Sequence, residues 1–326
     1  MIDLSLLPAP DVLETLEFET LYQQVLEDFR LQMGDQWSAL LESDPVVKLL
    51  EVAAYHKLLG RARINDAAKA SLLAYAKGAD LDHRAADYGV QRLVITPADP
   101  DAVPPVVAVL EGDSELRYRT RLSLEALSVA GSRGAYEFHG LSASANVASV
   151  SVDSPTFKGL SISAALQAQL PAGAIVLVCD YNAGLDKPLP GDVSLAVLPR
   201  IDSPVPGNEL VGAVEAALSA EDVRPLTDRP RVQLGQPTEF SVVAALELEA
   251  GPDPLVVQAQ VRAALEGTIA QARQLQGLLP ISAIYAALHT AGVRRVRITQ
   301  PTADVISDKR HYPSCRSITL STEVVA

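Results

Sequence analysis

Ser43-Asp44-Pro45-Val46-Val47-Lys48-Leu49-Leu50-Glu51 opens the segment whose reading sets the fold of the first third of the chain. Asp44 has a side chain that accepts hydrogen bonds from free amides as an N-cap, and Pro45 falls at the first helical position, where its missing N–H costs nothing. A helix is expected from Pro45 to about Lys77, with Gly78 as its stop and Gly60 as the point that could divide it. At 1.5 Å per residue such a rod would run roughly 50 Å, more than the width of a small domain. Val46, Val47, Leu49, Leu50, Val52, Tyr55, Leu58, Leu59, Ile64, Leu72, Leu73 and Tyr75 spread its apolar surface beyond one narrow stripe. Several packing neighbours are therefore required. Helices of the same chain would serve, and so would helices of partner chains.

Upstream, Phe18, Leu21, Tyr22, Val25, Leu26, Phe29 and Met33 recur at steps of three and four, which predicts a helix from Glu14 to Met33 ended by Gly34. A short helix is expected near Leu81 to Tyr88. The fold class is α+β: an all-helical N-terminal region, 1–95, followed by a duplicated mixed region with small sheets. Thr96 to Pro105 holds Pro97, Pro100, Pro104 and Pro105 and reads as a linker. Beyond it the expected domains are 106–205 and 206–326.

The duplication rests on matched offsets. Val147 to Val152 leads to Pro155, and Val293 to Ile298 leads to Pro301; each follows a helix-like stretch with a tyrosine and a histidine, Tyr136 with His139 and Tyr285 with His289. Val106 to Leu110 precedes the first such stretch as Val242 to Leu246 precedes the second, and Ala174 to Val178 and Ser317 to Leu320 follow as further strands. Chance similarity of valine-rich strands is the competing explanation. Between the copies, Leu210, Val211, Val214 and Leu218 predict a helix over Pro206 to Ala220, with strands at Val193 to Leu198 and Arg231 to Leu234.

Composition narrows the function. The 326 residues are 48% hydrophobic and 21% charged, with a formal net charge of −13. A surface of that sign repels phosphate, so nucleic acid and anionic membranes are not expected partners. Arg294, Arg295 and Arg297 are the nearest approach to a basic block and read as one exposed strand edge. Met1 to Pro10 has no basic region followed by an apolar run, so no secretory signal is expected, and no run reaches the roughly 18 apolar residues of a membrane span.

Cys179 and Cys315 are too few for a disulfide framework. They are expected as inert filling in strands, in a protein assembled in a reducing cytoplasm. His56, His83, His139, His289 and His311 stand apart from other metal ligands. No phosphate-binding glycine loop or serine nucleophile elbow occurs. Gly131-Ser132-Arg133-Gly134 could hold an anion but fits a helix cap better, and Asp80-Leu81-Asp82 fits N-capping better than acid–base work. No catalytic residue, cofactor or metal is expected.

The 43–51 stretch, with Tyr55, Arg61, Arg63, Asn65, Ala67, then Ala74-Tyr75-Ala76-Lys77-Gly78-Ala79-Asp80-Leu81-Asp82, Tyr88-Gly89-Val90 and Arg92, resembles the N-terminal region of baseplate J-like proteins of contractile-tailed phages and R-type bacteriocins. Arg119-Thr120-Arg121 through Ser132, the strand from Val147 to Pro155, Val223 to Asp228 and Ala291-Gly292-Val293 resemble the same family. Thr156 to Leu170 and Tyr181 to Arg200 look longer than its pattern.

The resemblance implies a structural subunit of a tail baseplate wedge. Two copies would join a companion wedge protein through a bundle of N-terminal helices, and six wedges would close as a ring around the hub, coupling host contact to sheath contraction. Partners would be other copies, the companion wedge protein, and sheath-initiator and hub proteins. Leu21, Val25, Phe29, Leu49, Leu50, Tyr55, Leu58, Arg61 and Asn65 are the residues expected at the bundle interface. A tail-associated hydrolase, or an adhesin or fibre-attachment module, are the alternatives; few aromatics, 5% of residues, weigh against an exposed aromatic binding face.

Overall fold

The computed structural model describes residues 7–8, 10–37, 41–128, 130–201, 203–249 and 253–325, so most of the Met1 to Pro10 stretch lies outside them. The chain divides into two compact units, Met1–Arg92 with Glu111–Arg121, and Leu93–Leu110 with Leu122–Ala326.

The first unit is helical. Helix α1 spans Phe18–Met33, α2 Pro45–Ala70, α3 Gly78–Ala86 and α4 Asp113–Leu122. Asp44 caps α2 as its sequence predicts, its carboxylate accepting from the Val46 amide at 2.7 Å. Gly34, at φ +55°, ends α1 in a conformation that a side chain would resist. Gly60 leaves α2 unbroken, but the helix stops at Ala70, seven residues short of Lys77. The reason is tertiary. Arg117 donates to the carbonyls of Leu73 (2.8 Å) and Ala76 (2.6 Å), and Arg84 to that of Ser71 (3.1 Å), so acceptors that helical amides would have taken are satisfied by side chains.

Three arginines thus fasten the returning segment 111–121 into the helical unit. Arg92 reaches Asp82 (2.6 Å), Asp113 (2.8 Å) and the Glu111 carbonyl (2.6 Å). Arg119 holds Glu111 with two bonds of 2.7 Å and donates to the Gln91 carbonyl at 2.6 Å. Asp113 accepts from the Gly78 amide and from Arg92, which together hold its carboxyl below the usual range despite partial burial. Leu116, fully buried, completes the contact.

In the second unit the expected linker is a β-hairpin. Strand β1, Val94–Thr96, pairs antiparallel with β2, Val109–Leu110, and Asp99 bridges Val106. The prolines lie in its loop, where no ladder amide is needed.

Two three-stranded sheets follow, each with two helices packed against it. The first has the order β3-β6-β7, from β3 (Val147–Asp153), β6 (Asp192–Pro199) and β7 (Arg229–Leu234), with α5 (Arg133–Ser142) and α7 (Gly207–Leu218) against it. The second has the order β10-β8-β12, from β8 (Gln236–Glu249), β10 (Val293–Gln300) and β12 (His311–Val325), with α8 (Pro254–Ala272) and α9 (Ile281–Leu288). Thus α7 and β7 complete the first sheet, and Gly235 alone separates β7 from β8. Smaller pairs are β4 (Thr156–Gly159) with β5 (Leu177–Tyr181), and β9 (Leu278–Leu279) with β11 (Val305–Ile306); a short helix α6, Ala164–Gln167, lies between β4 and β5.

The two sheets share one plan. The edge strands β3 and β10 each run antiparallel to the central strand, and β7 and β12 each run parallel to it. Both antiparallel edges start the same way. The amides of Val147 and Val293 bond to Ser144 and Thr290, the carbonyls just before them accept from Arg200 and Glu249, and the register shifts immediately after the first residue. Val150 and Val152 join one core, and Val296 and Ile298 pack on the other.

The chain order differs, however. The first sheet is threaded α5-β3-β6-α7-β7 and the second β8-α8-α9-β10-β12. Val106 to Leu110, in the hairpin, is therefore no counterpart of Val242 to Leu246 in a central strand, nor is β5 a counterpart of β12. Short valine-rich strands match each other in sequence wherever the chain places them.

Burial separates the two central strands. Leu195 and Val197 of β6 face the helices, while Ala196 and Leu198 pack with Leu275, Ala148 and Tyr312 on the opposite side. Covered on both faces, β6 reads as a continuous apolar run. In β8, Val242, Ala244, Leu246 and Leu248 face α8 and α9, while Glu247 and Glu249 alternate outward.

Candidate protein-interaction surface

Helix α2 carries two apolar faces. Advancing about 100° per residue, Val47, Leu50, Ala54 and Asn65 fall on one side, and all four are buried. Helix α1 packs against α2, and its own buried residues are Leu21 and Leu26. The side chain of Asn65 behaves like a strand: its amide donates to the Glu14 carbonyl at 2.8 Å and its oxygen accepts from the Glu14 N–H at 3.0 Å. Arg61 meets the Glu14 carboxylate at 2.6 Å. The two residues pin the segment ahead of α1 to α2.

Leu49, Val52, Tyr55 and Leu59 project from the other side, at steps of three, three and four. All are exposed, Leu49 at 67% and Tyr55 at 52%. Exposing Leu, Val and Tyr along one line forgoes the roughly 1.5–3 kcal/mol that burying each large apolar side chain would contribute. Contiguous exposed apolar rows of this kind are uncommon on soluble monomers.

The nine residues expected at the interface therefore divide. Leu49 and Tyr55 are exposed on the outer stripe; Val25, Phe29, Leu58 and Arg61 are half-buried, Phe29 lying edge-on to Trp37 at 5.2 Å. Leu21, Leu50 and Asn65 point into the unit. All three are buried within the chain itself, so they pack internally. Val52 and Leu59 belong to the outer stripe. Their spacing relative to Leu49 was the signal, once separated from the inner set.

The remaining polar clusters are internally neutralised. A cleft of about 260 Å³ is lined in part by Arg133, Tyr136, Asp153, Asp192 and Asp228. Asp228 accepts from the Tyr136 hydroxyl at 2.8 Å, Asp192 from Arg229 at 2.6 Å and Arg231 at 3.3 Å, and Asp153 from Lys309 at 2.6 Å and Tyr181 at 2.5 Å. Burial raises the Tyr136 hydroxyl pKa, and Asp228 raises it further. Burial would also raise Asp153 and Asp192, but their donors outweigh it and hold both below the usual carboxylate range. Groups fixed in one charge state are poor proton shuttles near neutral pH.

The smaller expectations resolve locally. Ser132 caps α5, accepting from the Ala135 amide at 3.3 Å. Asp80 and Asp82 do not cap: the cap position of α3 is Lys77, Asp80 lies in its first turn and Asp82 pairs with Arg92. Cys179 lies in β5 and Cys315 in β12, both free. Among the described residues no group of three or more His, Cys, Asp or Glu is arranged to hold a metal, and no helix is long and apolar enough to cross a membrane.

Comparison with known proteins bears on the helical unit and the second sheet together. Residues 42–99, which include α2, α3 and β1, match the Baseplate J-like N-terminal domain, and residues 240–321 match the Baseplate J-like protein C-terminal domain. Baseplate protein J of Escherichia phage P2 is 39% identical over 321 residues, covering 97% of this chain and 95% of that protein. The chain belongs to the baseplate J-like family. As a member it is a structural subunit of the baseplate of a contractile tail, the α+β chain that its residues imply. A chain in the six-fold symmetrised cryo-EM structure of the anti-feeding prophage baseplate aligns with 92% of this chain at 14% identity and a TM-score of 0.27; the chain spans about half, 53%, of that one.

Proposed function

We propose that this baseplate J-like chain acts as a wedge subunit, and that the outer stripe of α2 is where its helical unit joins the helices of other wedge chains. The observation that carries the reading is the second apolar face of α2: Leu49, Val52, Tyr55 and Leu59 stay exposed after the helix has used its opposite face on α1. A helix needs one apolar face to pack within its own domain, and a second calls for a neighbour. Other copies of the chain and a companion wedge protein are the partners that fit helix-on-helix contact. Sheath-initiator and hub proteins would be neighbours of the ring, in the virion tail baseplate, after assembly in the host cytoplasm.

The role is mechanical, not catalytic. Coupling host contact to contraction would require two packings of the ring separated by a few kcal/mol, with different contacts selecting between them. The test is the pair Leu49→Asp and Leu59→Asp. Either would place a carboxylate in the apolar contact, at a cost of several kcal/mol to association, while leaving the exposed position in the free chain unstrained. Co-purification with the other wedge chains should fail, with the circular dichroism of the isolated chain unchanged. Particles assembled at normal yield with both substitutions would refute the reading.

A further inference from the structure

Four strands end the two sheets, and three of their edges are blunted or occupied. Strand β12 carries Pro313 and a register shift between Cys315 and Ser317, β7 carries Pro230, and the hydroxyls of Ser149 and Ser151 in β3 bond to the Leu275 amide and the Gln276 side chain. Proline, bulges and covering segments are the usual means of keeping an edge from pairing. The edge of β10 has none of these along Arg295–Ile298. That stretch pairs with β8 without interruption, its register shifts fall only at the two ends, and among the described residues no other strand lies beyond it.

The same strand carries Arg294, Arg295 and Arg297, all exposed, in a chain of net charge −13. Arg295 and Arg297 share one carboxylate, Glu247, at 3.9 and 2.7 Å, and Arg294 has no ion pair among the described residues. The edge is therefore locally cationic. That disfavours symmetric pairing of β10 with β10 of a second copy, since arginines would face arginines across the ladder. The blunted edge strand β12 carries one acidic residue, Glu323, and its Arg316 already pairs with Glu239 at 2.5 Å, so it is no better matched.

We infer that the β10 edge is a docking strand for an acidic, extended segment of another protein, added to the sheet by backbone hydrogen bonds and selected by Arg294, Arg295 and Arg297. Strand addition supplies affinity through the main chain, and alternate side chains supply selectivity. Opposite charge on the incoming strand satisfies the arginines that Glu247 leaves unmatched. This inference is independent of the wedge reading, which concerns α2.

The test uses the full chain and two synthetic peptides, a ten-residue alternation of Glu and Val and its Lys–Val counterpart, with amide hydrogen exchange read across β10. The Glu–Val peptide should slow exchange of the amides from 294 to 299, with an affinity that falls as salt rises; the Lys–Val peptide should do neither. In R294E/R295E/R297E the Glu–Val affinity should drop about tenfold or more, and the Lys–Val peptide should bind instead. Equal behaviour of the two peptides on the unaltered chain would overturn the inference, as would protection located elsewhere. The arginines would then serve only to keep the edge solvated. The peptide comparison needs no variant, so a misfolded triple variant would not shelter the proposal.

Discussion

Replacing Arg119 by Met should destabilise the helical unit more than any exposed charge replacement in it. The side chains of Arg119 and Glu111 are 6% and 2% exposed and joined by two bonds of 2.7 Å, with the guanidinium also donating to the Gln91 carbonyl. Arg119→Met removes the guanidinium that faces the buried Glu111 carboxylate, which costs about 3–5 kcal/mol. The lost bond to Gln91 adds about 1 kcal/mol. Against the 5–15 kcal/mol by which small domains are stable, that is a large share. Trp37, the one tryptophan, lies in this unit, so its fluorescence in urea reports the unit inside the intact chain. With a urea slope of roughly 2 kcal/mol per molar, the midpoint should fall by about 2–3 M. The double replacement Glu111→Leu with Arg119→Met removes both charges and should recover most of the loss. A single Arg119→Met variant with its midpoint within about 0.3 M of the parent would refute the claim that this pair holds α4 in place.

Acid should act on the first sheet of the second unit through Asp192. Its folded pKa is depressed, so its contribution is fully present above the unfolded value of about 4 and is lost as pH falls through the lower folded value; replacing Arg229 and Arg231 by Ala should move acid unfolding, followed by amide NMR, to higher pH, and an unmoved transition would contradict this. Tyr136→Phe deletes a buried hydroxyl donating to Asp228 at 2.8 Å and should cost about 2 kcal/mol in chemical denaturation, whereas an exposed-tyrosine control, Tyr88→Phe, should be neutral. Gly60→Ala places a methyl group in open space on α2 and should raise the Trp37 urea midpoint, by about 0.5–1 kcal/mol of helix stability; a lower midpoint would show a hidden contact.

The parts legible in the sequence were those governed by local rules. Asp44-Pro45 marked the start of α2 and Gly34 the end of α1, because caps and stops depend on neighbouring residues alone. What escaped depended on distant partners. The turn at 71–77 follows from Arg117 and Arg84, and the 94–110 hairpin hides behind four prolines that sit in its loop. The shared plan of the two sheets was visible in Val147 and Val293, each opening an antiparallel edge, but valine alternation carries no record of which strand comes next. The residues expected at an interface mix two faces of α2 because burial within a chain and burial against a partner select the same residue types. Only the 100° step separates Leu50 from Leu49.

Photo-cross-linking in intact tails would show whether the outer stripe of α2 contacts another chain in the assembled baseplate. A photoreactive residue would replace Leu59, on the stripe, or Lys57, exposed but off it, in a chain that still assembles. Position 59 should cross-link to a second baseplate chain, identified by mass spectrometry, with little or no product from position 57. Absence of any interchain product from position 59, and likewise from 49, 52 and 55, in tails that contain the protein would contradict it.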